Sequence, residues 1–288
     1  MKRRTKIAIG VGGLVVVAGV GACATLEPFP PAVDTPEMRA HGVASRFFDT
    51  PVGRIHVAEA GERATGAPRV LFVHGSPGTW EAWRPWMEDA ALGGQARLLA
   101  VDRPGYGGSE RGHAEPALAR QVAALAAVLE AEPGPPAVVV GHSLGGPIAA
   151  RLAMDRPDLV SGLLMIAPSI DPDLERHRWY NVAGSTMMVQ WFLPVDWIVS
   201  NRELWPLRAE LRQMLPGWKD LRCRTIVIQG TADDLVPPAN ADFAERLVPK
   251  ERLEVRRFDK IGHFILWQRP ELVRQAIEEL LLGAPAAT

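Results

Sequence analysis

Ser143 stands in the stretch VVVGHSLGG, at the end of a run of β-branched residues and directly before a helical pattern. A hydroxyl at such a strand-to-helix turn is lifted above the carboxyl edge of a sheet, where open α/β sheets bind ligands, and it faces a helix N-terminus that favours a developing anion. Gly141 and Gly145 flank it two residues away on either side, where a tight turn leaves least room for a side chain. A serine hydroxyl is a weak nucleophile unaided, so the chemistry demands a base and a group to orient that base. Among the seven histidines, His263 in DKIGHF follows the last strand-like run and falls at the same edge as Ser143. His41 and His56 precede the sheet or lie in its first hairpin, His113 is in a loop, His177 is in an irregular segment, and His142 adjoins the serine and points elsewhere. The carboxylate comes from VIQGTADDLVPP, as Asp233 or Asp234, with Asp233 the better spaced.

The elements that must hold these groups are short apolar runs separated by helical patterns. ASRFFDTPVGRIHVAEA gives two β-rich runs around TPVG, a hairpin signal. Then RVLFVHG, RLLAVDRPG, AVVVGHS and LVSGLLMIAPS alternate with TWEAWRPWMEDA, PALARQVAALAAVLEA and LGGPIAARLAMDRP. Runs apolar on both faces, separated by helices, imply a mainly parallel sheet covered on both sides, hence an α/β fold. The alternation breaks over residues 169–218 and resumes with CRTIVIQG, a helix over PANADFAERLV, the strand RLEVRRF and a last helix from Pro270 to Leu282. One domain over 43–288 therefore carries an insertion of about fifty residues after its sixth strand.

The order Ser143, Asp233, His263 resembles the α/β-hydrolase fold superfamily over about residues 45 to 283. GTADDLVP matches the family pattern G-x-x-D-x-x-V-P with Asp233 in the acid position and Asp234 one place beyond; HGSPG, DRPGYGGS and GHF stand in register. The resemblance implies an eight-stranded, mostly parallel sheet flanked by helices, with 169–218 as a cap or lid. It implies an oxyanion hole from the N–H groups of Ser76 and Leu144, a structural His74, and a glycine-rich turn around Asp102 and Ser109. Ser143 would attack a carbonyl while His263 takes its proton and Asp233 holds the imidazole, and water would then cleave the acyl-enzyme, with no metal or cofactor. Epoxide hydrolases and haloalkane dehalogenases of this fold carry an aspartate at the nucleophile position, so a serine there disfavours both. The family often has a glutamate before the proline that follows the histidine; WQRP has Gln268 instead.

Substrate choice falls to the insertion, which holds Trp179, Met187, Trp191 and other aromatic and methionine residues; these three and Phe264 are the candidate substrate contacts. Such a lining suits a small-molecule ester with an apolar acyl or aromatic group, although rings that merely pack the cap on the core would look the same. C–C bond hydrolysis, amide or aminopeptide hydrolysis and acyl transfer use the same constellation. A non-catalytic envelope binding protein that keeps the fold is a further reading, disfavoured because such proteins tend to lose triad members and this chain has Ser143, Asp233 and His263.

The front of the chain bears on location. MKRRTK followed by IAIGVGGLVVVAGVGA has the charged and apolar regions of an export signal over 1–22. VGAC resembles the lipobox of bacterial lipoproteins, which would make Cys23 a lipidated first residue, and Ala24 after it favours the outer membrane facing the periplasm. The alternative is an inner-membrane anchor, because Ile7 to Leu26 is uncharged for 20 residues, long enough to span. The Pro-rich piece 23–42 reads as an extended tether. A net charge of −1, about −5 without Lys2, Arg3, Arg4 and Lys6, argues against nucleic acid as a partner, and two dissimilar cysteines argue against a disulfide framework.

Overall fold

The computed structural model describes residues 33–64, 66–132 and 134–283. The export-type segment, Cys23 and the first half of the tether, to residue 32, lie outside the described residues.

In chain order the elements are α1 (Pro36–Ala40), β1 (Ala44–Thr50), β2 (Gly53–Gly61), β3 (Arg69–Val73), a 3-10 turn (Trp80–Trp83), α2 (Arg84–Met87), α3 (Ala90–Gly93), β4 (Arg97–Val101), α4 (Leu118–Ala131), β5 (Ala137–His142), α5 (Gly145–Asp155), β6 (Val160–Ile166), α6 (Trp179–Gly184), α7 (Met187–Gln190), α8 (Val195–Leu204), α9 (Leu207–Met214), a 3-10 turn (Leu215–Asp220), β7 (Arg224–Gly230), α10 (Ala239–Leu247), β8 (Leu253–Phe258), α11 (Ile265–Gln268) and α12 (Pro270–Leu282). The eight strands form one sheet in the order β1-β2-β4-β3-β5-β6-β7-β8. β1 and β2 close a hairpin at Thr50 and Gly53, β2 meets β4 antiparallel, and every remaining pair is parallel. The eight-stranded α/β-hydrolase architecture expected from the motifs is the one observed.

Alternate side chains of each central strand supply two cores. Leu71, Val73, Val139, Leu163, Met165 and Val227 face α4, α5, α9 and α10, whereas Val70, Phe72, Val138, Val140, Leu164 and Ile228 face α1, α11, α12 and the Trp80, Trp83 and Trp86 cluster. Helices dock by narrow apolar stripes. In α12 these are Val273, Ala276, Ile277 and Leu280, the i, i+3, i+4, i+7 pattern.

Two local features differ from the sequence reading. TWEAWRPWMEDA does not form one helix: the chain turns as 3-10 over Trp80–Trp83 and restarts as α2 with Pro85 in its first turn, since a proline has no N–H to continue the earlier turn. The expected tether up to residue 42 is shorter, because Pro36–Ala40 is helical, Thr35 caps it by accepting from the Met38 N–H at 3.1 Å, and Met38 is buried in the core. A proline at the first helical position starts a helix instead of preventing one.

The insertion between β6 and β7 has two unlike halves. Leu207, Leu211 and Met214 of α9, with Trp218, are buried in the core beside α10. α6 buries only Gly184, and α7 buries nothing.

Candidate active site

β4 lies on one side of β3 and β5 on the other, so the direction of winding reverses at β3. The loops leaving β3 and β5 splay apart there, and ligands bind at such a reversal. Ser143 follows β5 directly, and Gly75 and Ser76 follow β3.

The Ser143 turn is strained: its φ is +53° in a residue with a Cβ, a conformation that costs about 1–3 kcal/mol and must be imposed by the surroundings. The flanking glycines are required by contact. A Cβ on Gly141 would lie 2.2 Å from the Gly145 carbonyl oxygen, and one on Gly145 would lie 2.2 Å from that of Val73. Gly75 is pressed against the serine itself, since a Cβ there would come within 3.0 Å of Ser143 Cβ. Ser143 is half-buried. Among the described residues its hydroxyl has no hydrogen bond, and the N–H groups of Ser76 and Leu144 have no acceptor. Unpaired donors beside an unpaired hydroxyl suit a site that waits for a ligand oxygen.

His263 sits five residues after β8 and Asp233 three after β7. Gly230 lets the two loops meet, as a Cβ there would be 2.2 Å from the Ile261 carbonyl oxygen. His263 Nδ1 lies 2.8 Å from Asp233 Oδ2. The other carboxylate oxygen accepts from the N–H groups of Leu235 (2.9 Å) and Val236 (2.8 Å), and Gln229 Nε2 approaches Oδ2 at 3.4 Å. A carboxylate so held presents one fixed oxygen to the ring and sets its tautomer. Asp234 is exposed, so of the two candidate acids Asp233 is the one placed against His263. No hydrogen bond joins His263 to Ser143 among the described residues, a contact that commonly tightens only when substrate is bound.

The surrounding histidines are packed and neutral. His142, next in sequence to the serine, packs its ring tilted against that of His263, centroids 4.8 Å apart, and its Nε2 lies 3.2 Å from the His263 carbonyl oxygen. Burial, then the His263 charge, lowers its pKa to about 3. His74 is held well below its ordinary pKa by burial and then by Arg103. Its Nδ1 contacts the Gly75 carbonyl at 2.7 Å and its Nε2 accepts from the Arg103 N–H at 3.0 Å, so it shapes the loop.

One group of residues escaped the sequence reading. Glu203, on cap helix α8, is buried and accepts from Arg103 Nη1 (2.6 Å), Tyr106 hydroxyl (2.7 Å), Ser76 Oγ (2.9 Å) and Gln121 Nε2 (3.0 Å). Arg103 in turn donates to the carbonyls of His74 and Gly75. Burial opposes the Arg103 cation, but Glu203 and Tyr106 outweigh it and raise its pKa; burial, then Glu203, keeps Tyr106 protonated well above its ordinary range. The cap thus grips the HGS loop through a single carboxylate. An arginine inside DRPGYGG was the available signal, but its partner lies 100 positions away.

The candidate substrate contacts fall in two places. The Phe264 ring stands 5.5 Å from His263, whereas Trp179, Met187 and Trp191 are on the outward half of the cap. A cleft of about 380 Å³ lined by Asp171, Arg212, Phe243 and Arg246 includes none of Ser143, Asp233, His263, Ser76 or Leu144. Among the described residues no group of three or more His, Cys, Asp or Glu is placed to hold a metal ion.

Residues 70–276 match the profile of the Alpha/beta hydrolase family. The dihydrolipoyllysine-residue acetyltransferase component of the acetoin cleaving system of Cupriavidus necator is 34 % identical over 138 residues, 48 % of this chain and 35 % of that protein. An esterase of Mycobacterium tuberculosis is 41 % identical over 116 residues, 38 % of this chain and 36 % of that protein. The chain therefore spans about a third of the length of these two curated relatives. The carboxylesterase CesB of Bacillus subtilis superposes with a TM-score of 0.64 over 95 % of this chain and 99 % of that one, at 18 % identity, a likeness of fold.

Proposed function

Since this chain belongs to the Alpha/beta hydrolase family, we propose that it is a serine hydrolase cleaving carboxylic esters with an apolar acyl or aromatic group. The observation that carries this reading is Ser143 at φ +53° on the β5–α5 turn, facing the edge where Asp233 and His263 are hydrogen-bonded. In the mechanism, His263 Nε2 takes the Ser143 proton as Oγ adds to the ester carbonyl. The new oxyanion lies between the N–H groups of Ser76 and Leu144, which are fixed before charge develops and need no reorganisation. Asp233 stabilises the imidazolium without taking its proton; His263 then protonates the leaving alcohol and activates water against the acyl-enzyme. A serine in this position, where an aspartate would form an alkyl-enzyme ester, sets the chain apart from epoxide-opening chemistry.

A fluorophosphonate probe tests the nucleophile: wild type is labelled and Ser143→Ala is not, and equal labelling of both overturns the assignment. A panel of p-nitrophenyl esters of graded chain length, with an amide and a vinylogous diketone, tests the bond; faster turnover of either of the last two replaces the ester reading. We also propose that the chain is held at the cell envelope by lipid on Cys23, facing the periplasm. Mass spectrometry of the mature N-terminus decides it, and an unmodified Met1 refutes lipidation.

A further inference from the structure

The outward half of the cap has a composition unusual for a surface. From Trp179 to Val195 there are 17 consecutive uncharged residues, and their large apolar side chains point outward. Trp191 is 85 %, Met188 79 %, Met187 77 %, Trp179 72 % and Phe192 60 % exposed. Trp197, Leu235, Phe264 and Trp267 are also exposed, and Arg178 Nη2 bonds the carbonyls of Asp234 and Leu235, tying the cap's edge to the acid loop. Soluble surfaces do not carry contiguous apolar patches of this kind without something to cover them. Exposed Arg176 and Arg202 have no ion-pair partner among the described residues.

The route of the chain says what covers the patch. At its entry to the fold Val33 lies against Gly108, where a Cβ would meet Val33 Cγ1 at 2.8 Å. A few residues along the same loop, Arg111 makes a two-pronged ion pair with Asp196 (2.9 and 2.8 Å), and Gly112 lies beside Val195. The chain therefore enters beside the end of the uncharged cap run. Six residues lie between Leu26, the end of the uncharged N-terminal run, and Val33, and the seven steps from one to the other reach at most about 25 Å. Any bilayer holding that N-terminal run lies within reach of the cap.

We propose that the α6–α7 surface, with Trp191 and Phe192, docks on an anionic phospholipid bilayer, so that ester substrate enters the site from the membrane. Aromatic rings settle at the headgroup boundary and arginines beside them meet lipid phosphates. The proposal rests on the N-terminal run being held in the bilayer and on Ser143 as nucleophile.

The test uses the full chain in phosphatidylcholine–phosphatidylglycerol vesicles whose acyl chains carry a doxyl quencher. Trp80, Trp83, Trp86 and Trp218 are buried and act as an internal reference. Quenching of the remaining emission that falls in Trp191→Phe supports docking. Met188→Glu with Phe192→Glu should remove that quenching and lower hydrolysis of vesicle-borne ester about tenfold relative to a soluble short-chain ester. Vesicle flotation with unquenched emission overturns the docking while leaving the anchor in place. Unquenched emission with cross-linking of Trp191→Cys between copies overturns it in favour of a second copy of this chain. Quenching without fluorophosphonate labelling retains the docking and rejects the hydrolase reading.

Discussion

Two serine–histidine–aspartate sets occur in this molecule, and only one of them is arranged for chemistry. In the first, Asp233 accepts two backbone N–H groups and contacts His263 Nδ1. In the second, Asp102 accepts from the N–H groups of Trp80 (2.7 Å) and Gly108 (2.8 Å) and contacts His56 Nδ1 at 2.8 Å, while His56 Nε2 meets the Ser45 hydroxyl. The aspartate–histidine halves are nearly identical. The difference lies at the serine. Ser45 sits on regular strand β1 opposite Ala58 with its hydroxyl bonded to the ring. Ser143 sits on a strained turn with its hydroxyl and two adjacent N–H groups unpaired among the described residues. A triad of residue types is therefore no sign of catalysis; a nucleophile left unsatisfied beside unsatisfied donors is.

Substitutions that separate the two sets should differ in size and in kind. Ser143→Ala should lower turnover by about 10⁶ with no loss of stability, measured on any ester the enzyme accepts. Asp233→Asn should lower it by about 10⁴, whereas Asp102→Asn should act chiefly on the midpoint of urea unfolding; the reverse pattern would exchange their roles. Glu203→Gln leaves the buried Arg103 charge unpaired and should cost about 3–5 kcal/mol in urea unfolding, much of it recovered when Arg103→Met and Glu203→Leu are combined. His142 is held neutral in the fold down to about pH 3 but takes up a proton near its ordinary value of 6.5 once unfolded. Its contribution is thus complete above about pH 6.5 and is lost as pH falls toward 3, at about 1.4 kcal/mol per pH unit. His142→Gln should flatten the acid limb by that slope. Ser45→Ala should cost only about 1 kcal/mol and leave the rate unchanged within a few-fold.

The strands could be read in advance because a segment buried on both faces has to be apolar throughout, as in RVLFV and AVVVG. The Ser143 turn could be read because its crowding demands glycine at both 141 and 145. Other features leave no local trace. The cap helices α6 and α7 bury so little that no periodicity marks them. α1 was hidden by a run of prolines, one of which starts it. Glu203 meets Arg103 only after the cap folds back on the sheet, and although Arg103 stands out inside DRPGYGG, nothing near Glu203 marks it as the partner. His142 looked like a bystander, although its ring supports that of His263.

The reach of Glu203 has a consequence for how such enzymes can be recombined. Cap segments invite exchange between relatives as a way of altering substrate range, because they join the sheet at only two points. Here a transplanted cap would have to bring a carboxylate to the position of Glu203, or the recipient would have to give up Arg103. A graft lacking both changes would leave a cation stranded behind the HGS loop. The cap and the HGS loop are therefore coupled through one ion pair in this chain, and positions 103 and 203 should change as a pair.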